Sequence, residues 1–534
     1  VRFVVFVFLG LAAGCSRPSP EVRAAVDRAL PPLQRSAAEF VKQRACFSCH
    51  HNALPILMLH MARDRGVAID AAVLKAVEEK TWQSGGSERD VLLASNLTDP
   101  TPNDSLLLMA QEAAGRFNDR ATQIRALRLE TWQRADGHWI TSDFRPPHSS
   151  SLFTTTATAI RALRVHRNWT HTDPKMKLAR MWLMRTAPIS TEDAAFRLMG
   201  VVWSGASSSD VDAAKRDLVT MQKPDGGWAQ LPGYESDAYS TGEAVFALHE
   251  ADTESPEGIR FLIANQTPDG TWHTKSRMIS PAQVSPPYFA TGFPYERDEF
   301  LSYAGSVWAT MALLSTMSPE TKHVVPKADM GLDAEIARLN ASTPWSILER
   351  LSSAASFYRN PAVGAMLRAP LAVDPGEGES ARVTPLRLAA MSGDLEMVKL
   401  LLANGANPNL GGAVSEAVTF GHADVAQALI AAGGETDGID GSGINLMHWA
   451  TITNRASLIA VLKDAKVPLN ETDTAGFTPL MYAATIDFGE TKTLEALLSA
   501  GADAGIKNLD GLTPLQQAEK LGHKAIAAVL NRAR

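Results

Sequence analysis

Apolar positions recur at helical spacing along most of this chain, and two different turn patterns punctuate them. In the first half, small and apolar residues fill Phe153–Leu163, Ser236–Leu248 and Ser302–Leu313. Helices this rich in small side chains can lie close to their neighbours and are expected to form an inner layer. The same periodicity predicts helices over Leu54–Ala62, Ser105–Ala114, Arg120–Trp132, Lys175–Arg185, Thr191–Val202 and Val211–Met221. From about Val383 the pattern changes to pairs of short helices. The expected fold class is all-α.

The first turn pattern is Q-x-x-D-G-x-W, found at Gln133–Trp139, Gln222–Trp228 and Gln266–Trp272. Asp-Gly is turn chemistry, the glutamine can tie the end of the preceding helix to the turn, and the tryptophan covers the joint with a large apolar face. Each unit reads as a helix hairpin. These turns resemble the QW motifs of the squalene/hopene cyclase and prenyltransferase superfamily. The resemblance covers roughly residues 37–320 and implies an α/α toroid of inner and outer helices. In that superfamily the motifs build the fold and carry no chemistry themselves.

The second pattern opens with Thr384-Pro385-Leu386, Thr478-Pro479-Leu480 and Thr513-Pro514-Leu515, with a weaker copy at Leu446–Ala450. Leu400–Ala406 and Leu497–Ala502 carry a glycine that can close a second helix. These segments resemble ankyrin repeats, and five are expected, starting near 383, 413, 443, 476 and 511. The resemblance implies a solenoid that binds a protein partner. Docking of the repeats onto the toroid is the other expectation. The domain layout is then a signal peptide over 1–14, a tether over 15–36, the toroid over 37–320, a helical linker over 321–380 and the ankyrin-repeat solenoid over 381–534. Within the linker, Asp333–Leu339 and Trp345–Tyr358 read as helices and residues 372–379 as a flexible connection.

Composition excludes one class of function. Over 534 residues the net charge is -7, so nothing suggests a nucleic-acid footprint. Cysteine usage adds more, because two of the three cysteines stand in Cys46-Phe47-Ser48-Cys49-His50. The C-x-x-C-H spacing lets a short turn present both sulfurs to haem vinyl groups while the histidine binds iron from one face. Covalent haem c held by Cys46 and Cys49, with His50 on the metal, is the leading expectation. A disulfide, or zinc held by Cys46, Cys49, His50 and His51, is the alternative. Gln43 stands three residues before Cys46, where a QW turn has its glutamine, so the haem motif is expected to replace one toroid turn. The second axial position is open: Met58, His60, Met61 and His51 are close in sequence, while His148, His273 and His323 are distant.

The third cysteine bears on location. Val1–Ala13 has one basic residue and an apolar run, as signal peptides do. Leu11–Cys15 resembles a bacterial lipobox, which implies lipidation at Cys15 and a membrane-anchored protein facing the periplasm. No later stretch reaches the ~18 apolar residues of a spanning helix. Cyclase chemistry is disfavoured, because the D-x-D-D and D-D-x-x-D acidic clusters of the superfamily are absent and aromatics make up only 7% of the chain. Asp210-Val211-Asp212 reads as a helix start. The expected function is electron transfer or haem-ligand sensing by an exported haem c protein. An enzyme acting on a lipid or isoprenoid, or a non-catalytic scaffold, is the alternative.

Overall fold

The structure is a computed structural model that describes residues 19–44, 49–87, 90–91, 99–117, 120–148, 150–278, 290–320, 355, 360–368, 373–374 and 384–533. Cys15, the signal segment, Cys46, the helix expected over Asp333–Leu339 and all but one residue of Trp345–Tyr358 lie outside these residues.

Twelve described helices make up the first half: α1 Pro20–Gln43, α2 Leu54–Arg63, α3 Ala71–Ser84, α4 Pro100–Ala113, α5 Arg120–Thr131, α6 Leu152–His166, α7 Pro174–Arg185, α8 Thr191–Trp203, α9 Ser208–Thr220, α10 Ala238–Glu250, α11 Pro256–Ala264 and α12 Glu299–Ser315. Two short strands, β1 Trp228–Ala229 and β2 Ser236–Asp237, pair antiparallel with Trp228 opposite Asp237. Packing divides the helices into two layers. Helices α2, α4, α6, α8, α10 and α12 each lie against the next, and α12 returns to α2. The others pack outside them. The inner helices are buried nearly all round, as their small residues predict: in α6, α8, α10 and α12 almost every residue is inaccessible. Gly242 shows the reason, since a Cβ there would sit 2.6 Å from the Ala309 backbone nitrogen.

Three identical joints link the layers. Gln133, Gln222 and Gln266 each donate through Nε2 to the turn glycine's carbonyl, at 2.9, 2.9 and 3.0 Å. Trp139, Trp228 and Trp272 each donate from the indole to a carbonyl of the preceding helix, those of Leu129, Leu218 and Leu262. Two of the joints also grip the next outer helix through the glutamine. Gln133 donates to Lys175 O on α7, and Gln266 donates to Ala25 O on α1. The third turn therefore packs on α1, the first of the described helices. Asp210 lies in the first turn of α9 behind the N-cap Ser207, as a helix-start reading requires.

Residues 20–36 correct one expectation. The tether predicted over 15–36 is helical from Pro20 onward, and Val22, Ala25, Val26, Ala29, Leu30 and Leu33 are buried. Their spacing is the i, i+3, i+4 stripe of a packed helix, so α1 is a full outer element. Gln43 donates through its amide to Glu39 Oε1 at 2.7 Å, and the turn it was expected to brace lies outside the described residues.

After Asn360–Met366 (α13), five helix pairs follow: α14 Pro385–Ser392 and α15 Leu395–Ala403, α16 Ala413–Phe420 and α17 Ala423–Ala431, α18 Leu446–Ile452 and α19 Ala456–Asp464, α20 Pro479–Thr485 and α21 Lys492–Ala500, α22 Pro514–Leu521 and α23 Lys524–Arg532. The Thr-Pro openings act as predicted. Thr384, Thr478 and Thr513 accept from the backbone N–H three residues on, and the prolines fill the first helical position.

The array is docked along the ring. Leu388, Met391 and Phe420 join the ring's apolar core. The Arg455 guanidinium donates to Thr141 O, the Tyr234 hydroxyl to Asp487 Oδ2 at 2.7 Å, and Arg277 Nη1 to Asp487 O at 2.5 Å. Met278 and Ile486 form an isolated antiparallel bridge. Among the described helices none is long and apolar enough to cross a membrane.

Candidate functional site

Cys49–Ala53 forms one wide turn of π type directly ahead of α2. Asn52 anchors this turn by donating to Thr81 Oγ1 on α3 at 3.0 Å. The turn carries His50 and His51 inward at the N-terminal ends of the inner helices, where they are 1% and 0% exposed. His51 is stacked between Phe40, with ring centroids 4.7 Å apart, and Tyr303, at 3.8 Å, and its Nε2 lies 3.2 Å from Ser36 Oγ. The His50 ring meets Phe40 at 6.2 Å, Phe300 at 5.4 Å and His148 at 5.8 Å, the last with the two rings perpendicular.

His148 reaches this point from the loop between α5 and α6. Buried Asp99 pins the loop by accepting from Thr141 Oγ1 at 2.7 Å, Ser142 N at 2.7 Å and Asp143 N at 3.1 Å. Asp143 in turn pairs with Arg145 at 2.7 Å. Beyond His148, its Nδ1 lies 3.3 Å from the Tyr239 hydroxyl, which donates to Glu192 Oε2 at 3.5 Å. The Thr154 hydroxyl donates to the other Glu192 oxygen.

Burial sets the protonation of this group. It drives the His50 pKa well below the usual imidazole value, helped by His51 and His148. It lowers His148 to about 4 against the opposing pull of Glu192 and Asp143. Both rings are therefore neutral at pH 7. The carboxyls move the other way: burial pushes Glu192 up to about 8, and burial with the Glu192 charge raises Glu243 well above the carboxylate range.

Phe300 packs against both His50 and His148, with ring centroids 5.4 and 6.3 Å away, so the described side chains close tightly around the His50 ring. The histidine that directly follows Cys49 is neutral, which is the ligating form, and it is dry and edged by aromatic rings. The Cys49 side chain and all of Cys46 lie outside what the structure describes. Among the described residues no three His, Cys, Asp or Glu side chains are grouped to share a metal ion. His51, the fourth ligand of the zinc alternative, lies between its two ring neighbours with Nε2 beside Ser36. The remaining axial candidates separate clearly. His60 Nε2 binds Glu78 Oε1 at 2.6 Å, Met58 is in the core, and Met61 lines a cavity away from His50. His273 pairs with Asp298 at 2.8 Å on a half-exposed surface, and His323 lies outside the described residues. Of the distant candidates, the fold brings only His148 beside His50 among the described residues.

Sequence reasoning missed Glu192, Tyr239, Glu243 and Asp99. One signal was present: Tyr239 and Glu243 stand four apart, on one face of α10. Nothing local marks Glu192 as turned inward, because it sits in a helix-start sequence where an acid is ordinary.

A pH dependence follows from Glu192. Its folded pKa of about 8 exceeds the unfolded value of 4.5, so the folded state keeps a proton the unfolded chain has lost. That contribution is full below pH 4.5 and disappears as pH rises through about 8. Glu192→Gln is expected to flatten the fall in stability across this window, measured by denaturant titrations at several pH values. The shallower slope left over belongs to Glu243, still raised by burial, to Asp99, raised to about 7, and to Asp237, raised to about 6.

The ring holds a cavity of about 410 Å³ at the C-terminal ends of the inner helices. Leu57, Met61, Phe196, Trp203, Phe246 and Trp308 line it, and the Arg161–Glu112 ion pair stands beside them. The Trp308 indole N–H, 6% exposed, has no hydrogen-bond partner among the described residues.

Comparison with known proteins bears on the second half. Residues 382–412 match the ankyrin repeat, and residues 414–508 match a description of three ankyrin repeats. The segment is thus an ankyrin-repeat array, with the fifth helix pair lying past the matched residues. Among solved structures, the chain is similar to one from the complex of a predatory endopeptidase from Bdellovibrio bacteriovorus with an immunity protein. That match has 30% identity and a TM-score of 0.31, and covers 34% of this chain and 97% of that one.

Proposed function

We propose that this protein is an exported haem c protein, with covalent haem on Cys46 and Cys49 and His50 as axial ligand, serving electron transfer or haem-ligand sensing. A lipid on Cys15 anchors it to a bacterial envelope membrane, facing the periplasm. The observation that carries the reading is the inward burial of His50, neutral and ringed by Phe40, Phe300 and His148, directly after Cys49. The bound group supplies a reversible one-electron couple. The chain's part is to hold the His50 imidazole neutral and oriented and to exclude water from it. The ankyrin array engages a protein, as such solenoids generally do. Its docked edge is already occupied by the ring, whereas Ile439 and Leu509, 54% and 80% exposed, offer apolar contacts on the turns between helix pairs.

We further read the first half as an α/α toroid of the cyclase and prenyltransferase kind. The closed succession of six inner helices and the three recurring Gln–Trp joints support this. A second reading, binding of a lipid or isoprenoid, is favoured by the 410 Å³ cavity, where an apolar ligand with one acceptor would satisfy Trp308.

The test is the full chain with its own leader, produced where c-type haem is matured. Peroxidase staining after denaturing electrophoresis is expected to show covalent haem, and Cys46→Ala is expected to abolish it. A colourless protein carrying stoichiometric zinc or a co-purified lipid would overturn the haem reading in favour of the second.

A further inference from the structure

We propose that the pocket between the ring and the ankyrin array binds a small divalent oxyanion, a phosphate, phosphate monoester or dicarboxylate, gripped by Arg277 of the ring and Arg455 of the array. This site is independent of the haem reading.

Three observations carry it. The first is placement: a pocket of about 270 Å³ lies at the seam, walled by the loop ahead of α6 and the start of α8 on the ring side and by Thr453–Arg455, Glu490 and Lys492 on the array side. That is the volume of roughly nine waters, room for a dicarboxylate or for a phosphate with a short organic group.

The second is a pair of arginines on its walls with no carboxylate of their own. Arg277 is 3% exposed and donates from Nε to Gln230 Oε1 at 2.9 Å and from Nη1 to Asp487 O at 2.5 Å. Arg455 donates from Nε to Thr419 O at 3.3 Å and from Nη2 to Thr141 O. Each is thus held by neutral acceptors. Among the described residues neither has an ion-pair partner, and each keeps one Nη nitrogen without a hydrogen-bond acceptor. A guanidinium taken out of water is costly unless an anion meets it, and its planar fork matches two oxygens of a phosphate or carboxylate. The acids around the pocket do not supply that anion. Asp143 pairs with Arg145, Glu490 pairs with Lys492 at 2.7 Å and accepts from Asn454, and Asp193 accepts from Ser151 Oγ and the Ile189 and Ser190 N–H groups. Burial keeps Glu192 largely protonated at pH 7. The other carboxyls near the two arginines, Asp99, Asp237 and Asp487, accept from Ser142 N, Ser240 N and the Tyr234 hydroxyl instead.

The third is the field of the helices. α6, α8, α19 and α21 all begin on the pocket wall. Ser151 and Ser190 cap the first two, whereas α19 and α21 begin with no side-chain cap, so their first N–H groups add positive potential there. An anion in this pocket bonds to both halves of the protein, and its occupancy fastens the array to the ring.

The experiment uses the full chain, with inorganic phosphate, glycerol phosphate and malonate as probes and sodium chloride at matched ionic strength as the reference. Calorimetry is expected to show saturable one-to-one binding of at least one dianion, and thermal unfolding a midpoint that rises with its occupancy while chloride leaves it unchanged. Tighter binding of glycerol phosphate identifies an organic phosphate as the ligand class, of inorganic phosphate the free ion, and of malonate a dicarboxylate. Arg455→Met is expected to weaken binding at least tenfold. Ala187→Glu adds a carboxylate at the exposed rim and leaves both arginines in place. It is expected to weaken binding at least tenfold while unfolding like the wild type without ligand, which covers the case in which Arg455→Met fails to fold. Arg260→Met, on the outer face of α11, should bind as the wild type does. No saturable binding of any of the three probes, or undiminished binding by Ala187→Glu, overturns the assignment.

Discussion

Replacing Arg128 by alanine is expected to destabilise the helical ring by about 3–5 kcal/mol, the range for stripping one partner from a buried ion pair. Arg128 and Asp104 are each 1% exposed. The guanidinium donates from Nε to Asp104 Oδ2 at 2.8 Å and from Nη2 to Oδ1 at 2.9 Å, and it also reaches Val91 O. The pair ties outer helix α5 to inner helix α4. Burial raises the Asp104 pKa while Arg128, then Arg125, lower it. Without Arg128 the carboxylate keeps only the longer contact to Arg125 Nε, 3.6 Å away, and must stay charged in a dry site or take up a proton. Urea denaturation followed by circular dichroism measures the loss. The double change Arg128→Met with Asp104→Leu is expected to recover much of it, because no unpaired charge remains. A loss under 1 kcal/mol for Arg128→Ala would contradict the burial on which the argument rests.

Gly270→Ala is expected to cost a further 3 kcal/mol or so by a different route, and to act on ring closure. Gly270 has φ +89°, and a Cβ there would sit 2.1 Å from Arg28 O on α1. The left-handed backbone alone costs a non-glycine residue about 1–3 kcal/mol, and a collision with backbone cannot be relieved by a rotamer change. Either the third turn or α1 must move, and this is the joint at which the last outer hairpin meets the first helix. Gly233→Ala separates the two effects, since Gly233 shares φ +89° but has nothing within 4 Å of the added carbon. It should show the backbone cost only. The pair can be compared by denaturant midpoint and by protease cleavage within α1, which only Gly270→Ala is expected to accelerate.

Sequence made the helices and their joints legible because both rest on local chemistry. Apolar spacing located the inner helices to within a few residues. Asp-Gly with a following tryptophan marked turns whose glutamine and indole bonds recur three times. Thr-Pro openings marked the repeats. The same reasoning failed at residues 20–36, where the position just after the expected lipidation site suggested a tether. Pro31 and Pro32 lie inside α1, whose buried stripe holds it against α3 and α12 nonetheless.

The candidate site divides in the same way. The chain alone determined that Cys46, Cys49 and His50 stand at haem-binding spacing, that the first half is helical hairpins, and that ankyrin repeats follow, because each of these is written within a few tens of residues. Only the tertiary structure decided that His148, nearly a hundred residues further on, faces His50, that Tyr239 and Glu192 stand behind it, and that the array docks on the ring. Those relations depend on which helix ends the ring brings together, and on burial that moves Glu192 and the two histidines toward their neutral forms. Burial of this kind is a property of the packed whole and has no signature in any one segment.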